Sequence, residues 1–210
     1  MTKMFGTFSN YGFVRDVIPS ALFENLKTEV AQLDLTDTLI NYNKNLAGNI
    51  EKEYRLSIHR QELESYVLDL CKQYENYYGT TNTSKDITSN NLEMYVYWAN
   101  LQKKYEFNPM HTHDGAYSFV IWLKIPYVMT DELTRPAVKQ TNMPRAGMFS
   151  FIYTNIFGEI REAEFPVDKS YEGTIFVFPS ALSHQVYPFY TSDEYRISIS
   201  GNIRKKQCKT

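Results

Sequence analysis

Four histidines occur in the 210 residues, and three of them stand where chemistry is possible. His111 and His113 are two apart, and side chains two apart in an extended strand project from the same face. Both imidazoles can therefore reach one ion. His184 follows an apolar strand and a turn, Phe178-Pro-Ser-Ala-Leu-Ser-His184, and can close a triangle from a facing strand. Imidazole suits iron, zinc, copper or nickel. An isolated i, i+2 pair also arises by chance, so two surface histidines and one packing histidine are the plainer alternative. His59, beside Arg60 and ahead of a helix, is expected to have no metal role.

A second constellation lies twelve residues beyond His184. In Tyr195-Arg-Ile-Ser-Ile-Ser200 the alternation puts Tyr195, Ile197 and Ile199 on one face and Arg196, Ser198 and Ser200 on the other. The apolar face suits a sheet core. A guanidinium fork with a hydroxyl two positions on can hold a carboxylate bidentately, although a polar face can also simply be solvated.

These side chains need strands to present them, and the chain divides accordingly. Up to about residue 90 the pattern is mainly helical. A short strand near 11–16 leads to Pro19, which is tolerated at a helix start. Leu22, Leu26, Val30 and Leu33 then form one apolar stripe. Leu63, Tyr66, Val67, Leu70, Cys71 and Tyr74 form a second, ending near Gly79, which suits a C-terminal cap. From 91 to 203 the pattern is strands: 92–98, 117–125 stopped by Pro126, 148–153, 173–178 stopped by Pro179, 185–189 and 195–203. At least six short strands after two helices predict an α+β chain: a double-stranded β-helix, or jelly roll, with the N-terminal helices packed on one face. One domain over 1–210 is expected, with 204–210 a solvated tail. The polar stretch 129–144, with Pro136 and Pro144, reads as a long loop over the rim. Arg145 at its end could touch an acidic substrate or be an ordinary surface charge.

Composition narrows the function classes. The net charge is −2 and the pI about 6.1, which argues against a nucleic-acid-coating surface. Arg204, Lys205 and Lys206 are the one basic cluster. Two cysteines far apart, Cys71 in an apolar run and Cys208 near the end, give no metal ribbon or redox motif. No apolar stretch approaches the ~18 residues that span a bilayer. A cytoplasmic protein without membrane or nucleic-acid partners is expected; the oligomeric state is left open. The 17 Tyr and 13 Phe favour pleated, half-buried surfaces.

The order His-x-His, a distant His, then Arg-x-Ser about a dozen residues later resembles the Fe(II)/2-oxoglutarate-dependent oxygenases. It looks most like the prolyl-hydroxylase-like group found in bacteriophages, marine ones especially. The segment 106–126 is similar to their central metal-binding strand, 173–184 to the second metal strand, and Leu46-Ala-Gly-Asn-Ile-Glu-Lys-Glu-Tyr54 to a further stretch of that group. The resemblance spans roughly 45–203. It implies Fe(II), with 2-oxoglutarate and O2 as cosubstrates, and a phage protein would work in the host cytoplasm. The keto-acid end of 2-oxoglutarate would chelate the iron, and its far carboxylate would meet Arg196 and Ser198. Tyr97, with Tyr95 and Trp98 near it, is a further candidate for lining that pocket, though all three also fit as half-buried strand aromatics. Oxidative decarboxylation to succinate and CO2 would drive hydroxylation of a substrate C–H, for which the resemblance offers a peptide or protein as the candidate.

One position departs from the family pattern. The usual triad is His-x-Asp or His-x-Glu and a distant His, but His113 occupies the carboxylate position. Asp114 is one residue late and, in a regular strand, faces the other way; a bulge could re-aim it as an alternative ligand, or it could orient a ligand imidazole. Three neutral imidazoles would leave the site one unit more positive, so that Fe(II) and dianionic 2-oxoglutarate sum to about zero. The substitution also admits a non-catalytic jelly-roll interaction or virion-associated protein that keeps the fold. A cupin would need a metal-binding Glu soon after the pair, and Asp114-Gly-Ala-Tyr-Ser-Phe119 contains none.

Overall fold

The computed structural model describes residues 10–79 and 91–206. Ten strands and four helices follow one another: β1 (Val14–Val17), α1 (Ser20–Ala31), β2 (Glu53–Arg55), α2 (Arg60–Tyr78), β3 (Leu92–Gln102), β4 (Asn108–His111), β5 (Tyr117–Lys124), α3 (Met129–Thr134), α4 (Pro136–Lys139), β6 (Met148–Thr154), β7 (Ile160–Pro166), β8 (Thr174–Pro179), β9 (Ser183–Val186) and β10 (Arg196–Lys205). They form a six-stranded sheet, β1-β8-β5-β10-β3-β2, and a four-stranded sheet, β4-β9-β6-β7. All named pairings are antiparallel. From β4 onward the chain passes back and forth between the two sheets, which is the winding of a double-stranded β-helix.

The large sheet is buried on both faces, and this explains why its central strands are apolar almost without interruption. On β5 and β8, Phe119, Ile121, Ile175 and Val177 pack against Leu22 and Leu26 of α1 and Leu63, Val67 and Leu70 of α2. The alternate residues Val120, Trp122, Phe176 and Phe178 meet Phe149 and Phe151 of the small sheet. Burying each such side chain contributes roughly 1.5–3 kcal/mol. The helices thus cover one outer face, as the sequence pattern predicts, and Cys71 is a buried free thiol among them. Gly79 caps α2 with φ of 79°.

Several boundaries differ from the sequence reading. The expected loop over 129–144 contains α3 and α4. Met129 and Glu132 are buried there, and the Glu132 carboxylate accepts from the backbone N–H groups of Tyr190 and Thr191; that tertiary anchor leaves no helical periodicity to read. The tail expected from 204 begins later, because Arg204 and Lys205 extend β10 beside Glu93 and Leu92 and Arg204 Nε pairs with Glu93 Oε1 at 2.9 Å. β3 runs on to Gln102. Strands β2, β4 and β7 escaped notice: β2 has three residues, β4 contains Pro109, and β7 is charged on an exposed edge. Cys208 lies outside the described residues. None of the described helices is long and apolar enough to cross a membrane.

Glu29 of α1 is the main polar fastener between helices and sheet. It is buried and accepts from the backbone N–H of Ser57 at 2.8 Å, of Ile58 at 2.7 Å and of His59 at 3.3 Å, and from the Tyr97 hydroxyl at 3.2 Å. Removing the carboxylate strands these donors in a dry environment. Glu29→Ala is expected to lower unfolding free energy by about 3 kcal/mol in urea titration; a loss below about 1 kcal/mol would show that Glu29 does not fasten this joint.

Candidate metal centre

The Cα register places His111 of β4 opposite His184 of β9. His113 lies two residues past His111, just beyond the strand end, where its N–H donates to the Ser180 carbonyl at 2.9 Å. Gly115 then turns the chain with φ of 107°. A Cβ there would sit 2.5 Å from the Ile203 carbonyl oxygen, so the turn that carries His113 back toward β5 requires glycine.

The three rings converge. Centroids are 4.3 Å apart for His111 and His184, 4.9 Å for His111 and His113, and 5.0 Å for His113 and His184. One ring nitrogen from each lies within 4.8 Å of the others, and among the described residues no carboxylate joins this group. Asp114 is exposed, and its carbonyl receives the Tyr95 hydroxyl at 3.4 Å.

The protonation pattern suits a metal. His111 Nδ1 is 2.7 Å from the Pro109 carbonyl and His184 Nδ1 is 3.0 Å from the Leu182 carbonyl. A carbonyl only accepts, so each Nδ1 carries the proton and each Nε2 keeps its lone pair. Burial lowers the pKa of His111. Burial and the neighbouring His111 bring His113 to about 4. Burial, then His111 and His113, hold His184 well below its ordinary value. The cluster is therefore neutral at pH 7, with one ring nitrogen of each histidine close enough to the others to face one ion. The residues fit a transition-metal ion.

The same pocket contains Arg196 and Ser198. Arg196 is buried at 3 % exposure. Its Nε and Nη2 donate to Gln102 Oε1 at 3.2 and 2.6 Å, Nη1 to the Tyr127 hydroxyl at 2.7 Å and the Gly147 carbonyl at 3.4 Å, and Nη2 also to the Tyr187 carbonyl at 3.1 Å. Every one of these acceptors is neutral, and no ion pair reaches this guanidinium among the described residues. A buried cation without a counter-charge is costly, and an anion entering the pocket would supply one. Ser198 Oγ accepts from Asn100 Nδ2 at 3.2 Å, and Ser200 Oγ from the same nitrogen at 3.1 Å.

Tyr97 is not part of this pocket. The parity of β3 sends Trp98, Asn100 and Gln102 inward and Tyr97, Ala99 and Leu101 toward the helices, so the Tyr97 hydroxyl ends on Glu29. Tyr95 carries Arg204 over its ring at 5.0 Å. Arg145 is held by Glu162 and Glu164 on the small sheet. Gln102, Tyr127 and Glu53 escaped the sequence reading. Extending the alternation of 92–98 by four residues would have found Gln102. Tyr127 follows a Pro, and Glu53 sits in a three-residue strand at the end of the Leu46–Tyr54 segment, whose resemblance assigned it no role.

Comparison with known proteins decides the family. A family model described as "Putative 2OG-Fe(II) oxygenase" matches residues 96–202, the stretch that holds all three histidines and Arg196. The chain belongs to the 2OG-Fe(II) oxygenases. It is an oxidoreductase of the kind that takes Fe(II) as cofactor and 2-oxoglutarate and O2 as cosubstrates. No curated protein matches the chain in sequence. Among solved structures it is similar to a Pseudomonas putida prolyl-4-hydroxylase, at TM-score 0.52 and 15 % identity over 93 % of this chain and 94 % of that one. A 2OG-Fe(II) oxygenase-family oxidoreductase from Burkholderia pseudomallei gives 0.52 and 14 % over 92 % and 84 %. HygX from Streptomyces hygroscopicus, with nickel, 2-oxoglutarate and hygromycin B bound, gives 0.50 and 12 % over 93 % and 83 %. These likenesses carry the double-stranded β-helix fold; the family assignment rests on the sequence match.

Glu53 of this oxygenase borders the same pocket. Burial, reinforced by the Glu106 carboxylate, pushes its carboxyl from an ordinary 4.5 to about 8. Between these values the folded chain keeps a proton that the unfolded chain has released, so stability is full below the lower value and falls as pH rises through the upper one. The loss is on the order of a few kcal/mol. Glu53→Gln is expected to flatten the decline in urea-derived stability between pH 5 and pH 8, within roughly 1 kcal/mol. An unchanged decline would show that Glu53 is ionised in the folded protein throughout.

Proposed function

We propose that the chain is a 2-oxoglutarate-dependent hydroxylase whose iron is held by His111, His113 and His184, with Arg196 receiving the far carboxylate of 2-oxoglutarate. The observation that carries this reading is the buried Arg196, which has only neutral partners and shares one pocket with three converging neutral imidazoles. The bound iron would supply the oxygen chemistry that couples decarboxylation of 2-oxoglutarate to C–H oxidation. The protein's own groups bind and orient. The Pro109 and Leu182 carbonyls fix the His111 and His184 tautomers. Trp98, Trp122 and Phe149 keep the pocket walls dry. Gln102 occupies the Nε–Nη2 edge of Arg196, where a carboxylate would dock bidentately, and it must shift to share that edge. Ser198, one strand from Asn100, offers a hydroxyl beside the same carboxylate.

Asp114 is left outside the ligand set in this reading, since its side chain is exposed and the neighbouring imidazole points inward. The three-histidine set carries no negative charge of its own, so the dianionic cosubstrate balances Fe(II). The resemblance to phage hydroxylases and the likeness to a prolyl-4-hydroxylase support a peptidyl substrate and a phage-encoded enzyme acting in its host's cytoplasm.

Anaerobic addition of Fe(II) and 2-oxoglutarate is expected to give a weak visible charge-transfer band, and oxygen to release succinate. Absence of both would overturn the reading. His184→Ala and His113→Ala should each reduce Fe(II) affinity by at least about a hundredfold, and Asp114→Ala by less than about threefold. Arg196→Ala should instead raise the 2-oxoglutarate KM by about a hundredfold with iron still bound. A large Asp114→Ala effect on iron would return the carboxylate to the triad.

A further inference from the structure

The pocket has a second polar wall that neither iron nor 2-oxoglutarate explains. Glu53 pairs with Asn100 across β2 and β3, and Asn100 pairs with Ser198 across β3 and β10. Glu53 therefore lies two strand spacings, about 10 Å, from the Ser198 row, on the same inward face. It is 1 % exposed. Oε2 receives one long bond from Asn43 Nδ2, at 3.4 Å. No hydrogen bond reaches Oε1 among the described residues, and no ion pair reaches either oxygen.

Asn108, three residues before His111 on β4, faces the same spot. Its Oδ1 is buried and has no partner. Gly48 separates the two: a Cβ there would lie 2.3 Å from Asn108 Oδ1 and 2.9 Å from Glu53 Oε1. The absence of a side chain at Gly48 leaves both oxygens open toward one small volume in the pocket wall. The loop holding Gly48 is tied just ahead of β4, where the Asn49 N–H donates to the Phe107 carbonyl at 2.9 Å. Glu106 adds a second carboxylate nearby, already engaged by the backbone N–H groups of Glu51 and Lys103. Lys52 and Lys103 lie over the Tyr195 ring instead. Among the described residues no side-chain donor other than Asn43 Nδ2 reaches the side-chain oxygens of Glu53 or Asn108. Burial holds a proton on Glu53 up to about pH 8, and a cationic N–H group seated beside it favours the carboxylate, so binding releases that proton and pairs both oxygens at once.

We propose that Glu53 Oε1 and Asn108 Oδ1, flanking Gly48, form a substrate subsite for a cationic N–H group, an ammonium or a guanidinium, within the pocket that holds the histidine cluster. This deepens the hydroxylase reading by naming a substrate class, and rests on it only in calling the ligand a substrate. The subsite itself is made of protein alone.

The test uses two pairs of probes that differ only in the side-chain cation: Nα-acetyl-lysine amide against Nα-acetyl-norleucine amide, and Nα-acetyl-arginine amide against Nα-acetyl-citrulline amide. Binding is measured by anaerobic calorimetry at pH 7.5, with and without Fe(II) and 2-oxoglutarate, while the charge-transfer band is followed separately. At least one cationic probe is expected to bind about tenfold or more tightly than its neutral partner. Glu53→Gln, nearly isosteric, should abolish that preference while the band persists. Asn108→Asp, which adds a second carboxyl beside Gly48, should strengthen it. Equal binding within both pairs, no binding by either cationic probe, or a preference that survives Glu53→Gln would each overturn the proposal. Loss of the band in the wild-type protein would instead defeat the iron reading, and the titration without iron would still decide the subsite.

Discussion

The six-stranded sheet is buried on both faces, and the rest of the molecule follows from that constraint. The helices cover one face and the four-stranded sheet covers the other. Strand periodicity then sorts the buried residues of β3, β5, β8 and β10 into one of two interiors. The helix-side interior is mainly apolar, with Glu29 as a buried carboxylate that fastens it. The inter-sheet interior begins as a cluster of aromatic rings and opens, toward β10, β3 and β2, into a pocket lined with polar groups. A polar side chain directed inward on those strands has no solvent to rely on. It must find a partner in the protein or in a ligand.

The pocket is best understood as a charge distribution with defined gaps. Three imidazoles are neutral because burial and mutual proximity disfavour their protonation, and two of them have their outer nitrogens fixed by carbonyls. Arg196 carries a buried positive charge surrounded by amide, phenol and carbonyl oxygens. Across the sheet, Glu53 and Asn108 present oxygens with too few donors. These three regions call for a metal cation, an anion and a cationic donor respectively, and they lie on one continuous surface. That arrangement is what a ternary reaction requires: the cofactor, the cosubstrate and the substrate each meet a different complement.

Much of this was legible from the chain alone where a local period governed it. The stripe Leu22, Leu26, Val30 identifies α1, and the alternation of 195–200 correctly puts Arg196 with Ser198 and Ser200. Legibility failed where long-range contacts decided the outcome. Tyr97 looked like a pocket aromatic, yet its position on β3 relative to Asn100 turns it toward α1. The stretch 129–144 looked irregular, yet Glu132 holds it as two short helices by reaching Tyr190 and Thr191.

By itself the sequence determined the fold class and which side chains could share a face, because helix and strand periods are properties of the local backbone. It also supplied the three histidines and the Arg-x-Ser pair in an order that resembles the oxygenase family's, with His113 at the position where that family has a carboxylate. Only the tertiary structure decided that His113, with Asp114 outside, completes the cluster, since that depends on the turn at Gly115 packing against Ile203. Only it brought Glu53 beside Asn108 from 55 positions away in sequence, since the register of an edge strand and the close approach at Gly48 are set by packing between segments and leave no trace in any one of them.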